Sequence, residues 1–217
     1  SPDRNKFIHL IENWREFGKN SKIDEIAGIK RLTNEFWTSK QRQGHSIHEI
    51  SYRACFKPQL PNFFINALTI EGDTVYDPFM GRGTTLIEAI LLNRNVIGND
   101  INPLSSALVE GRVNTPSLLE IQDRLNNIIF NYTQEIKNKD LLVFYHKKTL
   151  QEIEQLREYF LLKKNLDSID KWIRMITINR LTGHSKGFFS VYTLPPNQAV
   201  TIKRQKKINE NRNQKPE

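Results

Sequence analysis

The sequence predicts an α/β fold in which a parallel β-sheet is flanked by helices and preceded by a helical N-terminal lead-in. The main observation is the order of segments in residues 74–110, which reads strand, turn, helix, strand, turn, helix. This order is a βαβ unit, whose two strands must be parallel and joined by a right-handed crossover. Apolar residues at helical spacing dominate both flanks, and a hydrophobic fraction of 38% is typical of a folded globular protein.

The sequence predicts helices at three places in the N-terminal part of the chain. Residues 5–17 and 24–37 carry apolar side chains at helical spacing, and a polar loop follows over residues 38–49. Residues 56–70 begin with two prolines and continue as a helix with phenylalanine and isoleucine side chains, which Gly72 and Asp73 end.

The βαβ unit is predicted from four short stretches. TVYDPF is a buried strand that stops at a proline, and NVIGND is the second strand. TTLIEAILLN and INPLSSALVEGRVN are the helices that follow these strands. A sheet commonly has about five or six strands, and only two are predicted here. We therefore expect the sheet in this chain to be incomplete.

After the βαβ unit, the sequence predicts further helices and contains a basic segment. Amphipathic helices are predicted over residues 117–139, 149–164 and 168–181. Residues 183–200 are rich in glycine, aromatic residues and proline and predict a loop, whereas residues 201–214 are basic and can form a helix.

Three regions follow from this order of elements. Residues 1–60 are the helical lead-in, residues 61–115 contain the βαβ unit, and residues 116–217 contain helices and a basic segment. Because the first residue is Ser1 rather than methionine, we also expect a piece of a longer natural chain.

The positive charge is concentrated at one end of the sequence. The chain has 32 Lys and Arg against 24 Asp and Glu, a net charge of +8. Residues 1–170 hold 22 of each sign, so the whole excess lies in residues 171–217, with 10 basic and 2 acidic residues. This asymmetry favours a polyanionic partner, nucleic acid first, although a solvated basic tail would look the same.

Cysteine content and hydropathy indicate a cytoplasmic protein. The single cysteine, Cys55, excludes a disulfide within the chain, as in a reducing compartment, and we expect it to be a small packed residue. No apolar run approaches the ~20 residues of a membrane span, and no signal peptide is visible. We expect no metal ion.

The turn of the βαβ unit, YDPFMGRGTT, predicts a ligand site. Gly81 and Gly83 let the backbone approach a ligand closely, and Thr84 or Thr85 can cap the next helix. Asp77 ends the first strand and can accept a hydrogen bond from a ligand amine. Asp100 ends the second strand, where an acid accepts hydrogen bonds from both ribose hydroxyls of a nucleoside.

Two other nucleotide motifs are excluded by the spacing of this turn. No lysine follows Gly83 as a phosphate-binding GxxxxGK[ST] loop requires, and the third glycine of GxGxxG is absent. The turn therefore predicts a nucleoside ligand that carries an amino or cationic end.

Three stretches resemble one enzyme family in the same order. DPFMGRGTT resembles the DPFxGxGTT signature of S-adenosylmethionine-dependent DNA amino-methyltransferases, which make N6-methyladenine or N4-methylcytosine. VIGNDINP resembles the strand and acidic turn that follow it, and YRACFKPQLP resembles the preceding segment. The resemblance covers roughly residues 45–110. It implies a class I methyltransferase (Rossmann-like) fold and S-adenosylmethionine as the cofactor.

The resemblance also implies roles for individual residues. Asp100 would bind the ribose and Ile101 would lie against the adenine, with Asn102 beside them. The methionine end would lie against the turn, and the preceding segment would close the site. The cofactor-binding residues implied are Phe56, Lys57, Pro58, Asp77, Pro78, Phe79, Gly81, Gly83, Thr84, Thr85, Asp100, Ile101 and Asn102.

The catalytic motif of the family, [DNS]PP[YFW], is not matched. Its polar first residue positions the target amino group, and its aromatic residue stacks on the flipped base. The single Pro-Pro pair here lies between Leu194 and Asn197, which can do neither. The catalytic residues are therefore unknown. The motif could lie beyond Glu217 in a longer chain, a second chain could supply it, or this could be a non-catalytic relative.

The basic C-terminal segment is the candidate DNA interface. Phe188, Phe189 and Tyr192 could stack on bases or pack in a core. The resemblance implies DNA as the partner, in a setting that could include a restriction nuclease, and an RNA methyltransferase is the nearest alternative. The phosphate-binding residues expected are Lys186, Lys203, Arg204, Lys206 and Lys207.

Overall fold

The protein is a mixed α/β chain with two compact units. The computed structural model describes residues 3–36, 38, 44–50, 52, 55–181 and 201–212. The first unit comprises residues 1–49 and 54–109, and the second comprises residues 50–53 and 110–217. Of the helices in these described ranges, none combines the length and the apolar character that crossing a membrane requires.

In the described part of the lead-in, an α-helix, a hairpin and a short 3-10 turn precede the predicted third helix. Helix α1 (Arg4–Glu12) begins at the N-cap Asp3, whose side chain accepts from the Asn5 amide. It is followed by strands β1 (Lys22–Ile26) and β2 (Ile29–Thr33), which pair antiparallel. The helix predicted over residues 24–37 is therefore wrong.

The turn between β1 and β2 explains why this segment is a hairpin. Ala27 and Gly28 connect paired residues Ile26 and Ile29, and both have positive φ, at 52° and 76°. Two such residues make the tight turn that matches the twist of two strands. Short apolar runs do not distinguish strand from helix by spacing alone, so the sequence was ambiguous here.

An aromatic cluster packs the segments that follow α1 and the hairpin against helix α2 (Gln59–Leu68), and Phe7 of α1 lies 6.3 Å from Phe64 of α2 between ring centroids. Trp14 meets Phe63 edge-on with ring centroids 4.6 Å apart, and Phe36 stacks on Phe63 at 5.4 Å. Offset and edge-on pairs of this kind stabilise a core beyond their buried area.

The predicted βαβ unit is confirmed. Strand β3 (Thr74–Asp77) leads through the glycine turn into α3 (Thr84–Leu91), and β4 (Asn95–Gly98) pairs parallel with β3 before α4 (Pro103–Val113). Met80, Leu86 and Val109 form a buried cluster against which Val96 packs. The opposite face of the strands exposes Tyr76 and Ile97, which are 60% and 56% accessible.

The second unit is helical in the residues described. It contains α5 (Leu118–Asn126), α6 (Lys147–Leu162), α7 (Ser168–Arg180) and α8 (Ile202–Arg212), with a 3-10 turn over Lys139–Val143. Helix α5 ends well before the predicted residue 139. The following backbone instead bonds to side chains of α6: the Asn131 amide donates to Gln155, and the Lys137 and Asn138 amides donate to Glu154.

Candidate cofactor site at the carboxyl ends of two parallel strands

The parallel pairing of β3 and β4 brings the two predicted acids to one edge of the sheet. Asp77 is opposite Gly98 in the register, and Asp100 follows two residues after β4. The backbone continues the ladder past the strands, because the Asn99 amide donates to the Asp77 carbonyl and the Met80 amide donates to the Asn99 carbonyl, both at 3.0 Å. Asn99 thus ties the two turns together, a role that sequence reasoning missed.

Asp100 is the centre of this hydrogen-bonded arrangement. Its Oδ2 accepts from the Gly81 amide at 2.8 Å, and its Oδ1 accepts from the Asn102 amide at 2.8 Å. The amides of Asn102 and Gly81, together with the Ser105 side chain, hold the pKa of the Asp100 carboxyl below its ordinary value. Asp100 is therefore an ionised acceptor. A carboxylate has about four lone-pair positions, so it can accept further hydrogen bonds.

The glycine turn uses its two glycines differently. Gly81 has φ of 50° and offers its amide to Asp100. Gly83 has φ of 80°, and a Cβ placed there would lie 2.4 Å from Cγ2 of Val109. The absence of a side chain at Gly83 therefore lets α3 and α4 pack closely. Gly98 is comparable: a Cβ there would lie 2.3 Å from Cδ1 of Leu86, a constraint that the sequence did not reveal.

The threonines do not cap α3. The N-cap is Gly83, which has no side chain, so the predicted threonine cap is wrong. Thr84 is buried, and its hydroxyl accepts from Nε of Arg82 at 3.1 Å. Thr85 instead lines an apolar groove of about 390 Å³ with Phe56, residues of α2 and the β3 residues Thr74 and Val75.

The remaining predicted residues surround the two acids or precede α2. Oδ1 of Asp77 accepts from the Phe79 amide at 3.0 Å, and the Asn102 side chain accepts from the Leu104 amide at the start of α4. Phe79 and Ile101 are 87% and 100% exposed. Pro78 is half-buried in the turn, Pro58 is buried at the N-cap of α2, and Lys57 is exposed.

The basic segment contains a helix that is anchored on the second unit. Gln205 is buried and donates to Asn209, whose Nδ2 donates to the Val143 carbonyl, both at 2.8 Å. Lys203, Arg204, Lys206 and Lys207 are exposed on α8. Lys186, the aromatic residues at 188, 189 and 192, and the Pro-Pro pair lie outside the described residues.

Most of the lead-in and the βαβ unit match the model of one protein family. Residues 10–109 match the family model of the DNA methylases of N6/N4 type. The chain is 29% identical, over 74% of its length, to the type II methyltransferase M.MjaII of Methanocaldococcus jannaschii, covering 33% of that protein. It is 33% identical, over 67% of its length, to the type II methyltransferase M.MthZI of Methanothermobacter thermautotrophicus, covering 46%.

A more distant relative acts on a different nucleic acid. The tRNA (guanine(10)-N2)-dimethyltransferase of M. jannaschii is 26% identical over 55% of the chain and 37% of that protein. No solved structure matches the chain. The chain spans between a third and a half of the length of these relatives. The methyl donor of the DNA methyltransferases is S-adenosylmethionine. Residues 10–109 of this chain therefore match the N6/N4 DNA methylase family model, and the chain resembles type II methyltransferases.

Proposed function

We propose that this chain is the cofactor-binding and DNA-binding part of an S-adenosylmethionine-dependent DNA methyltransferase. The reaction would transfer a methyl group to the exocyclic amino group of adenine or cytosine, in a restriction-modification setting. The observation that carries this proposal is the pair of aspartates at neighbouring strand ends, of which Asp100 accepts a hydrogen bond from the Gly81 amide of the glycine turn. Ligands of parallel α/β sheets bind at this edge.

The residues at the edge fit S-adenosylmethionine in their chemistry. Asp100 is an ionised acceptor that bonds to the Gly81 and Asn102 amides and the Ser105 side chain, which leaves about one of its lone-pair positions for a ribose hydroxyl. The exposed Ile101 follows it directly, where an adenine ring could pack. Asp77, beside the exposed Phe79, is a carboxylate suited to the cationic methionine end. When bound, the cofactor supplies an electrophilic methyl group on a sulfonium.

We propose that polypeptide outside these 217 residues supplies the catalytic motif. The single Pro-Pro pair in the sequence has Leu194 and Asn197 where the reaction needs a hydrogen-bond acceptor and an aromatic ring. The exposed sheet face with Tyr76 and Ile97 supports this view, because parallel sheets are covered on both faces. The remaining strands could belong to the same protein or to a second chain.

The proposed DNA contacts are to phosphates. Lys203, Arg204, Lys206 and Lys207 are exposed on the anchored helix α8, and Lys186 belongs to the same basic segment of the sequence. Such contacts give affinity and register without reading the base sequence. A restriction nuclease is a partner consistent with the type II names of the relatives. A chain whose single cysteine allows no internal disulfide fits the cytoplasm.

Methylation of RNA is a second candidate function. The resemblance to a tRNA guanine dimethyltransferase over 55% of the chain is the observation in its favour. A comparison of methyl transfer to duplex DNA and to tRNA by the full-length protein would decide between them.

Calorimetric titration of the chain with S-adenosylmethionine tests the cofactor site. We expect micromolar binding that falls by at least about tenfold in Asp77→Ala and in Asp100→Ala, since hydrogen bonds to charged groups contribute about 1.5–3 kcal/mol. Asp140→Ala, an exposed aspartate of the second unit, is the matched control and should bind like the wild type. Unchanged affinity in both site variants, or no binding by a folded chain, would contradict the proposal.

A further inference from the structure

A buried carboxylate lies in the middle of α3, one and a half turns beyond the glycine turn. Glu88 is 5% exposed and lies among the buried apolar residues Leu86, Ile87 and Ala89 of the same helix. An ionised carboxylate at such a position is strongly unfavourable unless partners are fixed around it. None of the roles proposed above for the cofactor or for DNA uses this residue.

Each oxygen of Glu88 has a partner from a different element. Oε1 lies 2.6 Å from Nε2 of His48, and Oε2 accepts from Nδ2 of Asn62 on α2 at 2.8 Å. Burial raises the pKa of Glu88, but the hydrogen bonds from His48 and Asn62 outweigh it, so the pKa lies below its ordinary value. Since an ionised carboxylate only accepts, Nε2 of His48 must carry the proton.

Arg82, the residue between Gly81 and Gly83, is hydrogen-bonded to the backbone of the same histidine. Arg82 donates from Nη1 to the His48 carbonyl at 3.1 Å and from Nε to the Thr84 hydroxyl at 3.1 Å. The His48 ring is itself 6% exposed. The short turn Ser46–His48 is therefore attached to α3 through its ring and to the glycine turn through its backbone.

We propose that His48 and Glu88 are positioning residues for the glycine turn: together with Arg82 they fix the backbone that presents the Gly81 amide to Asp100. Both oxygens of Glu88 are hydrogen-bonded, although Nδ1 of the buried His48 ring has no partner among the residues that the structure describes. Hydrogen bonds made away from water are strong, so these two bonds restrict the backbone segments that they join. Loss of the His48 ring leaves Arg82 bonded to a segment that is no longer held against α3. The expected effect on S-adenosylmethionine affinity rests on the proposed function.

Two substitutions separate positioning from general stability. His48→Ala and Asn62→Ala each remove one partner of Glu88 and should destabilise the fold similarly, but only His48 is bonded to the turn through Arg82. His48→Gln tests rescue, because its amide can still donate to Glu88. The first readout is hydrogen exchange of the Gly81 amide without any ligand, which needs no assumption about function.

We expect Gly81 exchange to rise on the order of tenfold in His48→Ala, as loss of a hydrogen bond to a charged group implies. It should stay within about twofold of wild type in Asn62→Ala and His48→Gln. Equal exchange in wild type and His48→Ala, or an equal rise in Asn62→Ala, would overturn the proposal. Titration with S-adenosylmethionine should rank the variants in the same order. Absence of cofactor binding in wild type would contradict the proposed function alone, because the exchange result stands without it.

Discussion

At Gly83 the backbone φ is +80°, and the space where a side chain would begin is filled by Val109. We expect Gly83→Ala to lower the free energy of unfolding by about 2 to 4 kcal/mol, from the left-handed conformation and from overpacking together. Gly72→Ala is the matched control. Its φ is +84°, but nothing lies within 4 Å of the added Cβ, so it should cost only about 1 to 2 kcal/mol. Denaturant unfolding followed by far-UV circular dichroism measures both, and equal losses would show that the Val109 contact has no energetic effect.

Asp77 and the glycine spacing were predictable at the residue scale because one continuous stretch encodes them, and Asp100 was predictable because it ends the next strand, NVIGND. YDPFMGRGTT specifies a strand end, a turn and a helix start by local chemistry. The reason for Gly83 was not predictable, since Val109 is 26 residues away and only tertiary packing brings it there. The pairing of His48 with Glu88 was not predictable for the same reason, because the two residues are 40 positions apart in the sequence.

At the scale of elements, helices α5, α6 and α7 meet around one buried acid. Asp170 on α7 is fully buried; it accepts from Tyr159 of α6 at 2.8 Å and from Lys163 at 2.7 Å, and it pairs with Arg124 of α5. Burial raises the pKa of Asp170, but hydrogen bonds from Lys163, Tyr159 and Arg124 outweigh it and leave the pKa below its ordinary value.

We expect Asp170→Asn to cost about 3 to 5 kcal/mol of unfolding free energy at pH 7, because Arg124 and Lys163 lose a buried counter-charge. A carboxyl with a lowered pKa stabilises the fold above its unfolded pKa, so the gap between wild type and variant should narrow as the pH falls below about 4. Denaturant unfolding across pH 3–7 measures this difference in unfolding free energy. The control is Asp123→Asn, a substitution of an exposed acid on α5. A gap that stays constant across this range would contradict the assignment.

Elements were predicted well where the local pattern agrees with the packing and poorly where contacts distant in the sequence decide the structure. The helices α2, α3, α6 and α7 and both parallel strands are confirmed. The hairpin Lys22–Thr33 was mistaken for a helix, because its pairing is stabilised across strands, as by the Asp24–Arg31 ion pair, and not along one face. Helix α5 was predicted too long, because its apolar spacing continues into backbone that bonds to α6 instead.

At the scale of the whole molecule, the excess positive charge is separated from the proposed cofactor site along the chain. Residues 1–170 are neutral in sum, and the excess of eight positive charges follows them. If α8 contacts DNA phosphates, its cations release counterions on binding, and affinity must fall steeply with salt. A basic tail that is merely solvated would contribute no more than cations elsewhere on the surface, so salt dependence distinguishes these two explanations.

The salt dependence of duplex DNA binding, measured by fluorescence anisotropy, can therefore be predicted. Neutralising the α8 cations to glutamine should make the slope of log K against log salt shallower by up to about 3 to 4, since each phosphate contact contributes about 0.9. A control variant has four exposed cations of the first unit, which the proposal does not use, replaced by glutamine. It should leave the slope close to that of the wild type. The two sets are Lys203, Arg204, Lys206 and Lys207 on α8, and Arg4, Lys6, Lys19 and Lys22 for the control. Equal changes in slope for the two variants would mean that binding follows net charge alone and that α8 is not the interface.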